Sequence, residues 1–572
     1  MFAQTDPRDS KVTKESRLHP SPVRPPDTGA APTAGGESRV TEEWWRSAVI
    51  YQVYPRSFAD SDGDGIGDLP GVTSRLDALQ ELGIDAIWLS PFSTSPQRDG
   101  GYDVADYCDV DPLFGTLADF GALLAEAHAR GMRVVSDIVP NHSSSDHAWF
   151  QAALAAGPDS PERGRYLFRE GRGIDGTEPP NNWRSHFGGP AWTRVIEADG
   201  TPGQWYLHLF DSSQPDFDWT NDEVREEFRR ILRFWLDRGI DGFRIDVASS
   251  LVKAEGLPDR DFELDEDLAP YTGQPGVHEI YRDWRSLVDG YDGDRVLVAE
   301  SWIKPLTRRA LWVRPDELHQ AFNDLFDDWD APKLRGIIDE TLSAFSAVGA
   351  PSSWVASNHD IVRQATRLSL PRAERPNGLG PNSTGIPRYD DTLPRARALA
   401  MLTLALPGAA YIYQGEELGL PEVSEIPDEA RQDPTFLRTE GEQYGRDGCR
   451  VPLPWEADAP SYGFGPGGSS WLPQPGIWAR LARDRQQDVA ESTLTLYQDA
   501  VAMRRSRTLG AGDLEWLPGH PPEVLAFRNG STTVLINMGC DPVSLPAGEV
   551  LLASSPTQAD TLAPDTAVWM HA

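Results

Sequence analysis

Cysteine is almost absent: three occur in 572 residues, Cys108, Cys449 and Cys540, far apart and without CxxC spacing. That excludes a disulfide framework and a cysteine-based zinc cluster, and predicts free, mostly buried thiols. No apolar run reaches the roughly 18 residues that a membrane-crossing helix needs. Cations are also scarce, with 53 Lys and Arg against 88 Asp and Glu, a net charge of −35. Such a chain repels phosphate backbones and anionic lipid, so nucleic acid and membrane surfaces are excluded as partners. Residues 1–40 are polar, rich in Pro, Gly and Ser, and lack an apolar h-region. They predict a disordered leader rather than a signal peptide, hence a cytoplasmic protein. A Gly-rich dinucleotide fingerprint does not follow the first strand, and no organic cofactor is expected.

What is present is a large chain, longer than one hydrophobic core usually supports. Order is predicted from Trp44-Trp45 onward, with Val49–Val53 as a first strand. A unit of helix, glycine stop and apolar strand then recurs three times. Leu76, Leu79 and Leu82 precede Gly83 and the strand 84–89. Phe120, Leu123, Leu124 and Ala127 precede Gly131 and the strand 134–139, and Phe228, Ile231, Leu232 and Trp235 precede Gly239 and the strand 242–247. Further strands are expected at 296–299, 354–357 and 410–413. Repeated βα units with apolar strands predict a parallel sheet covered by helices. Asp137, Asp246, Glu300 and Asp360 stand at the C-terminal ends of these strands, where active groups of a TIM barrel collect, so the fold class expected is a (β/α)8 TIM barrel.

The barrel is assigned to 41–143 and 218–509, with irregular excursions near 366–395 and 415–475. Residues 144–217, rich in Trp, Gly, Asn and Pro, form an inserted domain after the third strand. Short alternating strands from 510 to 572 predict a C-terminal antiparallel β-sandwich whose expected role is packing against the barrel.

Arg244 and Asp246 lie two residues apart on one predicted strand, so both project into the same space. Four segments carry the chemistry: Asp137-Ile138-Val139-Pro140-Asn141-His142, Gly242-Phe243-Arg244-Ile245-Asp246-Val247, Ala299-Glu300-Ser301-Trp302 and Asn358-His359-Asp360. Their order resembles the motifs of glycoside hydrolase family 13, the α-amylase family. Asp60–Gly71, Gly101-Tyr102-Asp103, Pro180–Trp192, Trp205–Asp218 and Gly445–Arg450 are similar to its α-glucosidase and oligo-1,6-glucosidase branch.

The resemblance implies a retaining glycosidase in which Asp246 is the nucleophile, Glu300 the acid/base and Asp360 a stabiliser of the oxocarbenium-like transition state. The two reacting carboxyls should then lie about 5–5.5 Å apart. Proximity of Arg244 is expected to keep Asp246 ionised. His142 and His359 would hold sugar hydroxyls, Tyr102 would stack under the ring, and an Asp103–Arg446 pair would close the floor of an exo-acting pocket. The loop with Asp60, Asp62, Asp64, the Ile66 carbonyl and Asp68 alternates oxygen ligands with small residues; in this branch it implies one structural calcium or magnesium ion.

Small α-glucosides such as maltose, isomaltose, sucrose and short oligosaccharides are the expected partners, for a monomer or homodimer. Val247 resembles α-1,6-acting enzymes, whereas the segment through Leu251-Val252-Lys253 is more similar to α-1,4-acting bacterial α-glucosidases. Transglucosylation and sucrose isomerisation use the same intermediate and stay open, as does a non-catalytic scaffold homologue. A metal-dependent barrel hydrolase using Asp137, His142, Glu300 and His359 as ligands is the alternative from another enzyme class.

Overall fold

Strand β1 (Val49–Val53) is buried along its whole length and starts a sequence of strands and helices that curls on itself. Helices α1 (Leu76–Leu82), α2 (Leu117–Ala129) and α3 (Asp222–Leu236) bury the apolar positions expected of them. The glycines beyond them, Gly83, Gly131 and Gly239, take φ of 82°, 77° and 95°, a left-handed turn that costs glycine nothing and ends a helix sharply. They feed β2 (Ala86–Leu89), β3 (Arg133–Ile138) and β4 (Gly242–Ile245). The computed structural model describes residues 43–324, 326–370, 378–556 and 560–571. The expected leader lies outside them, as does part of the first excursion.

Four more strands complete the sheet: β5 (Val296–Ala299), β6 (Gln320–Ala321), β7 (Ser353–Val355) and β8 (Ala409–Tyr413). All pairings are parallel and run β6-β5-β4-β3-β2-β1-β8-β7. The seam between β6 and β7 is bridged by Asn323, whose N–H donates to the Ser353 carbonyl (3.1 Å) and whose Oδ1 accepts from the Val355 N–H (2.9 Å). The result is an eight-strand parallel barrel, nearly closed. Ile50, Trp88, Val135, Val298, Phe322, Val355 and Tyr411 form a cluster separate from the main core. They come from strands around the whole ring, which makes them the packed barrel interior. Strand β6 had no counterpart in the sequence pattern, because two residues with a polar Gln320 carry no alternation.

The inserted segment contains a three-stranded antiparallel sheet of Phe168–Arg169, Pro202–Leu207 and Trp192–Ile196. Its small core of Trp183, Trp192, Leu207 and Leu209 also includes Leu257, Ala269 and Tyr271 from the loop after β4. Inserted domain and barrel loop therefore build one wall together. The C-terminal region is a five-stranded antiparallel sheet with a two-stranded ribbon, whose Leu562 joins the apolar cluster of Val524, Leu535 and Val568. It is tied to the barrel by Asn529, whose side-chain amide donates to the carbonyls of Ala405 and Leu509. Among the described residues, no helix is long and apolar enough to cross a membrane.

Candidate active site

The C-terminal ends of β3, β4 and β5 bring Asp137, Asp246 and Glu300 around one guanidinium. Arg244 Nη1 lies 2.8 Å from Asp246 Oδ1 and 3.1 Å from Asp137 Oδ1, and its Nη2 lies 2.8 Å from Glu300 Oε2. The strand ends at Ile245, and Val247 turns into the left-handed region at φ 46°. That conformation is unfavourable for a β-branched residue, and it aims the Val247 N–H at Glu300 Oε2, 3.1 Å away.

Arg244 favours the ionised form of Asp246 as expected, but one cation shared among three carboxylates does not offset burial. Burial pushes the Asp246 carboxyl well above its ordinary range; Arg244 opposes this, while Glu300, Asp137 and Asp360 add to it. Asp137 is pushed up to about 7, chiefly by burial, against Arg244 and the hydrogen bond donated by the Tyr102 hydroxyl at 2.8 Å. Both carboxyls therefore give up their protons less readily than exposed ones would.

A second cation organises the opposite side. Arg446 contacts Asp99 Oδ1 (2.6 Å), Asp360 Oδ1 (3.0 Å) and Asp433 Oδ2 (2.5 Å), and Arg450 adds a contact to Asp360 Oδ1 at 3.1 Å. Burial alone would raise the Asp360 carboxyl, yet it is held below the ordinary carboxylate range by His359, Arg446, Arg450 and Arg244. His359 is itself pushed well below its usual value by burial; with that ring neutral, the guanidiniums carry the effect.

The expected Asp103–Arg446 pair is not formed. Asp103 is fully buried and accepts from the Ser95 hydroxyl and the N–H groups of Arg98 and Asp99 at 2.9–3.0 Å, so it holds its own loop. The partner of Arg446 is Asp99, four residues earlier. A signal for it lies in Asp99-Gly100-Gly101-Tyr102: Gly100 and Gly101 take φ of 57° and 100°, and a Cβ on Gly100 would come 2.5 Å from the Tyr54 hydroxyl. Only glycine lets this turn bring Asp99 and Tyr102 to the same space.

These groups line a cavity of about 720 Å³ that contains Asp99, Tyr102, His142, Asp246, Glu300, Asp360 and Arg446. Arg244 and His359 stand behind its wall, and Asp103 lies outside it. The Tyr102 ring stacks on His359 (centroids 5.2 Å apart, 3° between planes), and Gln52 Nε2 donates to His359 Nδ1 at 2.8 Å, which leaves Nε2 facing Asp360 Oδ2 at 3.3 Å. His142, lowered to about 4 by burial, is neutral and is tied through Gln214 to Asp99. The floor is buried, whereas Asp265, Glu266 and Trp302 at the mouth are exposed. His186, Phe210, Val247 and Tyr271 also line the cavity; His186 and Phe210 fall within the Pro180–Trp192 and Trp205–Asp218 stretches, whereas Tyr271, in the loop after β4, lies in no sequence motif.

Residues 52–512 match the family model described as alpha amylase, catalytic domain. The chain belongs to the α-amylase family, glycoside hydrolase family 13. A "Probable alpha-glucosidase" of Rhizobium meliloti (strain 1021) is 38% identical over 505 residues, 83% of this chain and 85% of that one. An oligo-1,6-glucosidase of Halalkalibacterium halodurans is 33% identical over 538 residues, 87% of this chain and 90% of its own. The crystal structure of an α-glucosyl transfer enzyme, XgtA, superposes with a TM-score of 0.79 at 36% identity, covering 92% of this chain and 99% of that one. This α-amylase-family chain is a glycoside hydrolase of the α-glucosidase and oligo-1,6-glucosidase branch.

In this family member Asp137, His142, Glu300 and His359 do not form a metal-ligand cluster; among the described residues, the one acidic group with converging ligand atoms is Asp60, Asp62 and Asp68, within 4.8 Å of one another. Asp64 instead accepts from the Ile66 N–H at 2.7 Å, and its carboxyl is raised by burial and by the charges of Asp62, Asp60 and Asp68. Three hard oxygen donors crowded together fit a divalent cation. Asp60 and Asp68 also accept backbone N–H groups of Gly63, Gly65, Ser61 and Gly71, so the loop is already folded around them.

Proposed function

We propose that this enzyme is a retaining, exo-acting α-glucosidase that releases α-glucose from the non-reducing ends of maltose-type oligosaccharides. The observation that carries the exo-action is Arg446, clasped between Asp99 and Asp360 at the buried end of the cavity. A chain cannot pass through that end, and a terminal glucose meets carboxylates and a guanidinium aimed at its hydroxyls. Seven carboxylates against two cations line the cavity, which suits neutral sugars.

Asp246 attacks the anomeric carbon and Glu300 protonates the departing oxygen; a covalent glucosyl-enzyme forms as the glycosidic bond breaks. Glu300 then takes a proton from water, which displaces Asp246 and releases glucose with its α-configuration kept. Both carboxylates touch one guanidinium, which supports the close spacing that retention needs. Asp360, whose carboxyl is held below the ordinary carboxylate range, stabilises the developing positive charge. Oligo-1,6-glucosidase, transglucosidase and sucrose isomerase activities share this intermediate, and Val247 at the cavity wall bears on the choice of linkage. We place the enzyme in the cytoplasm.

Time courses with maltose, isomaltose, sucrose and soluble starch, recording anomer and transfer products, test the reading. Glucose released as the α-anomer from disaccharides is expected, and rapid starch cleavage sinks the closed pocket. Replacing Arg446 with alanine should cost about 3 kcal/mol in transition-state binding, roughly a hundredfold in kcat/KM for maltose; unchanged maltose kinetics would remove the floor from the argument.

One calcium or magnesium ion held by Asp60, Asp62, Asp68 and, in the full expected set, Asp64 and the Ile66 carbonyl would brace the first βα loop without entering the reaction. Chelation should then lower the melting temperature by about 3–4 °C, the shift that roughly 3–4 kcal/mol of ligand linkage gives a chain of this length. An unchanged melting curve with and without chelator would count against the ion.

A further inference from the structure

Beyond the mouth of the catalytic cavity lies a second one of about 510 Å³, walled by the segment after β6 and by helix α4 (Ala331–Ser346). Trp302 and Lys304 line both cavities. The two are therefore neighbours across a single indole, which is 37% exposed and backed by the Arg309 guanidinium 5.8 Å from its centroid. Trp302 follows Glu300 by two residues, so the backbones are at most about 7 Å apart. A sugar on the leaving-group side of Glu300 reaches this indole first.

The chemistry of the second cavity suits a neutral polyol. Three of its four carboxylates are paired, Asp324 with Arg309 (2.6 Å), Asp327 with Arg367 (3.1 Å) and Asp328 with Lys333 (3.0 Å), and the fourth, Glu340, is matched in number by Lys304 on the same wall. Paired carboxylates keep lone pairs for hydroxyl donors without a net charge that calls for an ion, while Leu334 and Ile337 offer apolar surface for a sugar's C–H face. The wall is open at Gly336, where an added Cβ would meet nothing within 4 Å, so a small side chain fits there and a large one reaches into the cavity. In a helix interior, glycine is otherwise the costlier choice.

We infer that this cavity is a distal binding site for the reducing-end sugars of longer α-glucosides, which run from the catalytic cavity over Trp302 toward α4. The inference rests on the glucosidase reading above and specifies its preferred chain length. Gly336→Phe fills the cavity from its open wall, and Gly336→Ala changes helix propensity alone. Di- to pentasaccharides are compared in whichever linkage series, 1,4 or 1,6, the enzyme cleaves, with thermal melting as the check on folding.

The wild type and Gly336→Ala should gain about five- to tenfold in kcat/KM between the disaccharide and the tetrasaccharide, the size of one or two added sugar contacts. Gly336→Phe should lose that gain and keep the disaccharide value. A flat profile in the wild type, or the same gain in a folded Gly336→Phe, overturns the distal site while leaving the glucosidase reading intact. Failure to cleave any member of either series overturns that reading, and the distal site with it.

Discussion

On the retaining mechanism proposed above, Asp246→Ala should lower kcat on maltose by about five orders of magnitude, because the proposed nucleophile is lost and no neighbour replaces it. Asp137 is the nearest candidate, but it is buried, bonded by Tyr102 and Arg244, and outside the cavity lining. Removing a partner from a buried ion network usually costs stability. Here the guanidinium of Arg244 keeps two carboxylates, Asp137 and Glu300, and a carboxyl that burial pushes upward is taken away. The variant should therefore melt at or slightly above the wild-type temperature. Steady-state kinetics and a thermal melt check both halves; residual activity within a hundredfold of wild type would reassign the nucleophile.

Glu300→Gln should cost about three to four orders of magnitude on maltose, whose leaving hydroxyl needs a proton. On p-nitrophenyl α-glucoside the departing phenolate needs little help, so glucosylation proceeds and the intermediate accumulates for want of a base. A burst of nitrophenol followed by slow turnover is the expected trace.

The pH profile supplies an independent readout. Asp246 must be ionised to attack, so its raised pKa places the wild-type acid limb above the ordinary carboxylate range. The charge of Glu300 contributes to that elevation, after burial. In the active form Glu300 carries the proton it donates, a neutral state that glutamine mimics, so the acid limb of the variant should not move to lower pH; the variant should instead lose the alkaline limb, which reports loss of the acid's proton. An alkaline limb kept by the variant, or wild-type turnover of maltose, would show that Glu300 is not the acid.

The helices and strands of the barrel's first half were legible because each is a local pattern: apolar positions at helical spacing, a glycine stop, an apolar strand. Strand β6 was not, since two residues ending at Ala321 are a strand only by virtue of β5 beside them. The floor of the pocket shows the same limit. Asp103 and Asp99 flank Tyr102 in one loop, and either could face Arg446 on paper; the left-handed turn at Gly100-Gly101 sends Asp99 inward and folds Asp103 back on the N–H groups of its own loop. Asp433 and Arg450, which complete the cluster around Arg446 and Asp360, lie in an excursion with no periodic pattern.

By itself the sequence placed Asp246, Glu300 and Asp360 at or just beyond the C-terminal ends of buried strands, because those placements follow from contiguity along each strand; the roles proposed for them come from the family resemblance. The tertiary structure alone decided how they share charge. One arginine faces three carboxylates on one side of the cavity and another faces three on the other. Contacts between residues up to 347 positions apart in the chain set these fields, and such distances are closed only when the barrel closes.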